Sequence, residues 1–204
     1  MRVEQFVMAY QIEQDRIRAM LPEGFQSLRP VLRINAEIRE DKKEKTFYIE
    51  YNTPVASAGK RGWLNIASWR SPETEICCKR EGKTVTFTTS FLRIAFTGVG
   101  IEGGCPAEKD NDGIFFLDRK ESFQLPEKID QKKEFCNCEF QWNFASHDAA
   151  GISIEGVTLP ACFTEPVITY EKQAFTAENA AHIPCIQVLG QYKVIFERQT
   201  EDLF

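Results

Sequence analysis

Hydrophobic and polar residues alternate along much of the chain, which predicts a protein built mainly from β-strands. In segment 32–39 four apolar residues alternate with Arg33, Asn35, Glu37 and Arg39, a pattern typical of a half-buried strand. Segments 135–144 and 186–197 alternate in the same way. Further strand candidates, many rich in β-branched and aromatic residues, are 3–10, 46–56, 63–69, 84–97, 113–118, 152–158 and 166–170.

Turn residues separate these strands, and helix is scarce. Glycine-containing segments 58–62 and 80–83 each indicate a short hairpin connection. Short helices are predicted over 15–21, which ends before a proline, and over 176–181, with Thr176 as its N-cap. Many strands with two short helices indicate a barrel or a sandwich, since closure of a sheet removes its exposed edges.

Composition indicates a folded domain. The 204 residues are 43% hydrophobic and include 16 phenylalanines, which is enough to build a core, and residues 1–204 are predicted to form one domain. The net charge is −5, with charges of both signs interspersed and no basic stripe. Because binding to phosphates needs clustered lysine and arginine, nucleic acid is not expected as a partner.

The chain shows no pattern of a membrane or secreted protein. The first residues, Met-Arg-Val-Glu-Gln, do not resemble a signal peptide, and no uninterrupted apolar run approaches the ~18 residues that cross a bilayer. Seven cysteines, an odd number, fit a reducing compartment in which they pack as small apolar groups. A cytoplasmic location without membrane partners is therefore expected.

Three stretches, taken in order, resemble the acetoacetate decarboxylase superfamily. The most specific is Tyr48-Ile49-Glu50-Tyr51, followed by a hairpin and the aromatic-led return strand that begins at Trp63. The others are 6–25, a strand and a helix that ends in Leu-Pro-Glu-Gly-Phe, and 183–188, which leads into a final long strand. The resemblance implies a mainly β (α+β) fold: a closed mixed-sheet β barrel with flanking strands and two short helices.

The sequence departs from this family where the family carries its chemistry. Family decarboxylases follow the return strand with a helical segment and a Pro-Lys-Lys motif, whose lysine forms a Schiff base with the substrate. Here 69–75 runs almost directly into the next strand. The Lys-Lys pairs, 42–43 and 132–133, lie in predicted charged loops, where an amine keeps its ordinary pKa near ~10.4. Gln11 stands where the family has an arginine facing the substrate carboxylate.

Glu50 is the candidate catalytic residue, because it matches the pocket glutamate of the family. Tyr48 and Glu50 share one face of their strand, and Trp63, Asn65 and Trp69 are predicted to share a face of the return strand. In the barrel, Glu50 would act as an acid or base and Asn65 would donate a hydrogen bond to a ligand. The alternatives are a solvent-facing or ion-paired Glu50 and tryptophans that only fill the core.

Two arginines are candidates for binding a ligand carboxylate in place of the missing family arginine. Arg70 ends the return strand, and Arg93 lies among apolar residues within a predicted strand. Ordinary surface or ion-paired arginines are the alternative. The complete predicted ligand-binding set is Gln11, Tyr48, Trp63, Asn65, Trp69, Arg70 and Arg93.

No metal or cofactor is predicted. The alternation places Cys136 and Cys138 on an apolar face, which favours core packing over zinc, and His147 and His182 each stand alone. The glycine-rich segment 98–104 follows a strand without opening a helix, so a loop or barrel mouth is favoured over a phosphate cradle.

The sequence predicts a protein that binds a small organic acid or carbonyl compound in the barrel, without Schiff-base decarboxylation. Whether it is an enzyme stays open: proton transfer, hydration or aldol-type, lyase-like chemistry through Glu50 is one alternative, and binding alone is another. A domain of another class, a non-catalytic sensor or structural domain with a filled interior, is the competing interpretation. A third interpretation is that a lysine from elsewhere in the chain, Lys60 or Lys79, reaches the pocket. Family members often form larger oligomers, so the resemblance allows a homo-oligomer.

Overall fold

A computed structural model describes residues 1–42, 44–103, 114–117, 132–144, 152–153 and 169–198. Within these ranges the chain is mainly β, as predicted, with two short helices. In chain order the elements are β1 Arg2–Gln11, α1 Gln14–Met20, β2 Gln26–Ser27, β3 Val31–Asp41, β4 Glu44–Ser57, β5 Lys60–Arg70, β6 Cys77–Glu81, β7 Thr84–Thr88, β8 Leu92–Gly103, β9 Ile114–Phe115, β10 Lys133–Trp142, β11 Ile152–Ser153, β12 Thr169–Tyr170, α2 Ala177–Ala181 and β13 Gln187–Glu197.

The strands form one large sheet and one small one. The large sheet has 11 strands in the order β6-β7-β8-β10-β13-β1-β3-β4-β5-β9, with β2 added beside β4. It is mixed, because β9 runs parallel to β5 while the other pairs are antiparallel. The predicted closed barrel is not found: within the ranges given above, β6 and β9 end the sheet without pairing to each other, so the sheet is not closed. The exposed charged residues Lys79, Arg80 and Glu81 on β6 are typical of a strand edge that stays unpaired.

The sheet folds over so that its two halves pack against each other. The halves meet between β10 and β13 in a ladder that pairs Glu134 with Lys193 and Phe135 with Tyr192. Across the interior, the ring of Phe6 on β1 lies 5.6 Å from Phe87 and 5.3 Å from Phe96. Burial of these aromatic side chains against one another provides the main apolar core.

The predicted helices are present and pack onto this core. Helix α1 buries Ile17 and Met20, and the chain then leaves toward Pro22. The hydroxyl of Thr176 accepts a hydrogen bond from the backbone N–H of Asn179, so its predicted capping role at α2 is confirmed. Neither helix of the described residues has the length and apolar character needed to cross a membrane.

Several strand predictions change in detail. The candidate 84–97 is two strands, β7 and β8, because the hydroxyl of Thr89 accepts the backbone N–H groups of Phe91 and Leu92 in a tight turn. The hairpin at 80–83 is confirmed and joins β6 to β7. Of the candidates 113–118, 152–158 and 166–170, only β9, β11, β12 and residues 116–117 fall within the described residues.

Candidate functional site

A buried layer of polar side chains covers the face of β3, β4 and β5 that points away from the apolar core. Both faces of β3 are buried, so its prediction as a half-buried strand was wrong. In the register of the sheet, Asn35 pairs with Glu50 and Arg33 with Asn52. We call this set the polar layer, and its members are Arg33, Asn35, Glu37, Arg39, Tyr48, Glu50, Asn52 and Asn65.

Glu50 lies in the middle of the polar layer with 5% of its surface exposed. The Nδ2 group of Asn52 donates a hydrogen bond of 2.7 Å to Oε1 of Glu50, and Nδ2 of Asn65 donates one of 3.3 Å to Oδ1 of Asn52. The two amides thus form a chain from β5 to the carboxyl group on β4. This chain fixes the position of Glu50 and links Asn65 to it through Asn52.

Burial raises the pKa of Glu50 above its ordinary value. The Arg33 guanidinium and the Asn52 hydrogen bond act in the opposite direction and offset only part of this effect. The carboxyl group therefore holds its proton to higher pH than an exposed glutamate does. A carboxyl group with a raised pKa is better suited to act as a general acid than an ordinary exposed glutamate is.

Two aromatic rings support the arginines of the polar layer. The guanidinium of Arg33 lies over the ring of Trp63 at 3.6 Å, and that of Arg39 lies over the ring of Tyr48 at 3.9 Å. The ring faces are partly negative, so these contacts stabilise the buried cations and hold the planar guanidinium groups in place. Trp63 and Tyr48 therefore position charged groups beside Glu50.

A second carboxylate, Glu37, has the opposite electrostatic character. Nε of Arg39 donates to it at 2.7 Å, Arg198 donates through two nitrogens at 3.3 Å, and Nε2 of Gln5 donates at 2.8 Å. Burial acts to raise the pKa of Glu37, but the charges of Arg39 and Arg198 outweigh it and the pKa is lowered. Glu37 is thus an ionised structural anchor, whereas Glu50 is the proton-holding group.

A β-bulge decides which tryptophan reaches the polar layer. The register between β4 and β5 shifts so that Tyr51 pairs with Ala67 and Asn52 with Asn65, which leaves Ile66 as the extra residue. Trp63 and Asn65 lie on the face of Glu50, but Trp69 pairs with Ile49 and faces the core. The predicted common face of the three residues is therefore wrong for Trp69, whose ring packs on Phe91 at 4.4 Å.

The remaining predicted ligand-binding residues lie at different distances from Glu50. Arg70 is half-buried at the end of β5 and pairs with Tyr48. Gln11 lies at the far end of β1, where it accepts a hydrogen bond from Gln187 at 2.7 Å. Arg93 is exposed on β8, on the face opposite the core residue Ile94, so the structure does not bring it to the site.

The lysines considered for imine formation are not placed beside Glu50. Lys79 is exposed on β6, and its hydrogen bond and charge contact with Glu81 raise its pKa, which keeps the amine protonated. Lys60 is exposed at the hairpin between β4 and β5. Lys133 is not in a loop as predicted: it begins β10, is buried, and lies over the ring of Tyr192 at 3.7 Å. Three strands, β13, β1 and β3, separate β10 from β4 in the sheet.

The sequence prediction missed most of the polar layer. Arg33, Asn35, Glu37 and Arg39 were interpreted as a solvent-facing strand surface because polar residues alternating with apolar ones usually face water. The signal that could have identified them is their position on the strand preceding the Glu50 strand, since sequential antiparallel strands are usually neighbours.

The predicted packing role of the β10 cysteines is confirmed. Cys136 belongs to the apolar core and Cys138 packs against it. Burial raises the pKa of the Cys136 thiol to about 11, so the thiol is protonated at neutral pH, as expected for a cysteine that packs in the core. His182 ends helix α2, and His147 lies outside the described residues.

The comparisons with known proteins rest on structure alone. No family model and no curated protein sequence matches the chain. The chain is similar to acetoacetate decarboxylase from Legionella pneumophila, with a TM-score of 0.61 and 12% identity over 96% of this chain and 81% of that one. It is also similar to an acetoacetate decarboxylase-like enzyme from Sphingomonas wittichii RW1, with a TM-score of 0.54, 8% identity and coverage of 95% and 87%.

A third similar structure is the enduracididine biosynthesis enzyme MppR complexed with pyruvate, with a TM-score of 0.52 and 10% identity over 95% of this chain and 84% of that one. Identities this low show the fold and nothing finer. The chain has the acetoacetate decarboxylase-like fold, as the order of its strand, hairpin and terminal motifs predicted.

Proposed function

We propose that this protein binds a small organic acid or carbonyl compound against the polar layer, next to Glu50, and that it does not form a Schiff base with it. The observation that carries the proposal is the Glu50 carboxyl group itself. It is buried, held by a chain of two amides, and has a raised pKa. Such perturbed groups concentrate at functional sites.

The residues around Glu50 suit a ligand that carries a carboxylate or a carbonyl oxygen. A protonated Glu50 donates a hydrogen bond to such an oxygen, and the ionised form accepts a proton from a carbon or a water molecule. Arg33, held flat on Trp63, supplies positive charge on the same face. The side chains of Asn52 and Asn65 keep the carboxyl group oriented during such a transfer.

We exclude imine formation because of the pKa and the exposure of the lysine amines. An imine-forming lysine needs a lowered pKa so that its neutral amine can attack the ketone. Lys79 has a raised pKa, and both Lys79 and Lys60 are exposed. Reduction with borohydride in the presence of pyruvate or acetoacetate should therefore leave the mass of the protein unchanged. An adduct on a lysine, located by mass spectrometry, would contradict this part of the proposal.

Ligand binding is tested by calorimetric titration with small 2-keto and 3-keto acids, beginning with pyruvate and acetoacetate. We expect binding to the native protein and about tenfold weaker binding for Arg33→Gln, because one charge-assisted hydrogen bond is lost. Arg93→Gln, on an exposed part of β8, is the matched control and should bind as the native protein does. Equal affinities in all three proteins, or no binding at all, would overturn the proposal.

A second candidate function is that of a non-catalytic sensor or structural domain, and the packing of the interior supports it. The space between the two halves of the sheet is filled by buried aromatic and aliphatic side chains, among them Tyr10 and Tyr51, whose hydroxyls lie 2.5 Å apart. This candidate predicts that Glu50→Gln changes stability without changing any ligand response, whereas the first predicts a change in both.

A further inference from the structure

A pocket separate from the polar layer opens where the two halves of the sheet meet. Its volume is about 200 Å³, and it lies between the β6–β7 hairpin and the adjoining ends of β8, β10 and β13. The core residues Phe6, Val85 and Phe96 contribute its apolar floor. No member of the polar layer lines it.

Positive charge predominates around this pocket. Arg80, Lys83 and Lys193 line it together with one carboxylate, Glu134. Arg80 is paired with Glu4 at 2.6 Å, and Lys193 with Glu134 at 2.5 Å. Lys83 makes no ion pair within the part of the chain that the structure describes, so three cations face two carboxylates and one positive charge is left over.

Two glycines shape the wall beneath these charges. A methyl group at Gly98 would clash with Oε1 of Glu134, and one at Gly100 would lie 3.2 Å from Nζ of Lys83. The glycines therefore let Glu134 and Lys83 lie close against the backbone of β8. The same strand is irregular here, since its register with β10 shifts between Glu134 and Cys136.

We propose that this pocket is a second ligand site, which takes a small monocarboxylate with a short apolar chain. The carboxylate binds to the ammonium of Lys83, which lies beside Gly100, and the chain rests on Phe6 and Phe96. A single negative charge matches the positive charge left over by the ion pairs. The volume corresponds to about seven water molecules at ~30 Å³ each, which fits a carboxylate with two to four carbons.

The test uses the full chain labelled with ¹⁵N-glycine and titrated with sodium butyrate. The amides of Gly82, Gly98 and Gly100 report on this pocket, and the amide of Gly62, next to Trp63, reports on the polar layer. Saturable shifts of the first three are the expected result, whether or not Gly62 responds. A shift at Gly62 alone would overturn the second site while leaving the proposed function intact.

Variants identify the group that binds the anion. Lys83→Gln should weaken the response of the pocket glycines by about tenfold or more, as expected for a lost charge-assisted contact. Lys79→Gln, on the same hairpin but outside the pocket, is the matched control and should titrate like the native protein. An undiminished response in Lys83→Gln would contradict the assignment of Lys83.

Butylamine tests whether the ligand needs a negative charge, and inorganic phosphate tests whether it needs an apolar chain. Butylamine, with the same chain and the opposite charge, should leave the pocket glycines unshifted. Phosphate should bind more weakly than butyrate because it makes no use of the apolar floor. Binding of butylamine, or phosphate binding as tight as that of butyrate, would overturn the proposed ligand class.

Discussion

At Glu50, burial and the positive charge of Arg33 act on the pKa in opposite directions, and burial has the larger effect. A raised pKa in the folded state means that stability is fully present below the ordinary glutamate pKa of ~4.3 and declines as the pH rises toward the folded value. Glu50→Gln removes this loss while its Oε1 still accepts the hydrogen bond from Asn52. We expect the variant to gain stability relative to the native protein at pH 8 and to differ little from it at pH 4.

Urea unfolding at the two pH values measures this difference. The control is Glu81→Gln on exposed β6, where the hydrogen bond from Lys79 lowers the carboxyl pKa and burial is absent. It should show no gain at pH 8. A destabilisation of Glu50→Gln at pH 8 that shrinks at pH 4 would mean that Glu50 is ionised and paired in the folded protein, and would contradict the raised pKa.

Glu37 should respond to pH with the opposite sign. Its pKa is lowered because Arg39 and Arg198 outweigh the effect of burial, so its contribution is present above ~4.3 and is lost as the pH falls through the folded value. Glu37→Gln leaves two arginines without their carboxylate, and we expect a loss of about 3–5 kcal/mol at pH 7. The loss should shrink below pH 4.

The matched control for Glu37 is Glu40→Gln, three residues along the same strand. Glu40 pairs with Arg2 at 2.9 Å, but both side chains are more than two-fifths exposed, so its loss should stay below about 1 kcal/mol. Similar losses of unfolding free energy for both variants would show that the cluster around Glu37 contributes no more to stability than an exposed ion pair does. Chemical denaturation at pH 7 and pH 4 decides between these outcomes.

Among the strands, variants of β5 test whether the bulge at Ile66 places Trp63 and Trp69 on opposite faces of the sheet. The bulge places Trp63 on the polar layer and Trp69 in the core. Trp69→Phe should therefore lower stability by about 1–3 kcal/mol, because part of its packing on Phe91 is lost, and should leave ligand affinity unchanged. Trp63→Phe should weaken keto-acid binding, since the smaller ring supports Arg33 less well.

The two measurements are a denaturation curve and a calorimetric titration of each variant. If Trp69→Phe weakened ligand binding as much as Trp63→Phe, the two side chains would share a face, as strict alternation predicts. The sequence could not reveal the bulge, because an added residue within a strand leaves the local pattern of Trp63, Asn65 and Trp69 intact. Only pairing with β4 shows the shift of register.

Element positions were predictable where a pattern repeats and a turn residue ends it. Strands β1, β3 and β13 and both helices agree with their predictions because each has clear periodicity and a clear boundary. Strand β6 was missed, since Cys77–Glu81 has no apolar alternation: it pairs on one side only and is largely exposed. Buried polar strands have the same pattern as exposed ones, which is why the face of Arg33 and Glu37 was misread.

For the whole molecule, the order of the motifs was enough to predict the fold family but not whether the sheet closes. Closure depends on pairing between the first and last strands in the sheet, β6 and β9, and these two strands are not paired within the described part of the chain. The exposed charged residues Lys79, Arg80 and Glu81 on β6 also disfavour a further strand pairing at that edge. The fold is therefore held by packing between the halves of the sheet rather than by a closed ring of hydrogen bonds.

This packing predicts that the two halves unfold together. Phe6 lies on β1 in one half and contacts Phe87 and Phe96 in the other, while the ladder between the halves has only two residue pairs. Phe6→Leu should lower the unfolding free energy by about 1–3 kcal/mol and leave a single transition. Fluorescence of Trp63, Trp69 and Trp142, which lie in both halves, should coincide with loss of the far-ultraviolet circular dichroism signal.

The matched control is Phe135→Leu, at a ring that is 46% exposed on β10, which should change the unfolding free energy by less than about 1 kcal/mol. Two separate transitions in the native protein would show that the halves are independent folding units joined at β10 and β13. Because Phe6 also forms the floor of the proposed carboxylate pocket, Phe6→Leu should weaken butyrate binding as well. The rings that join the two halves would then also serve the ligand site at their junction.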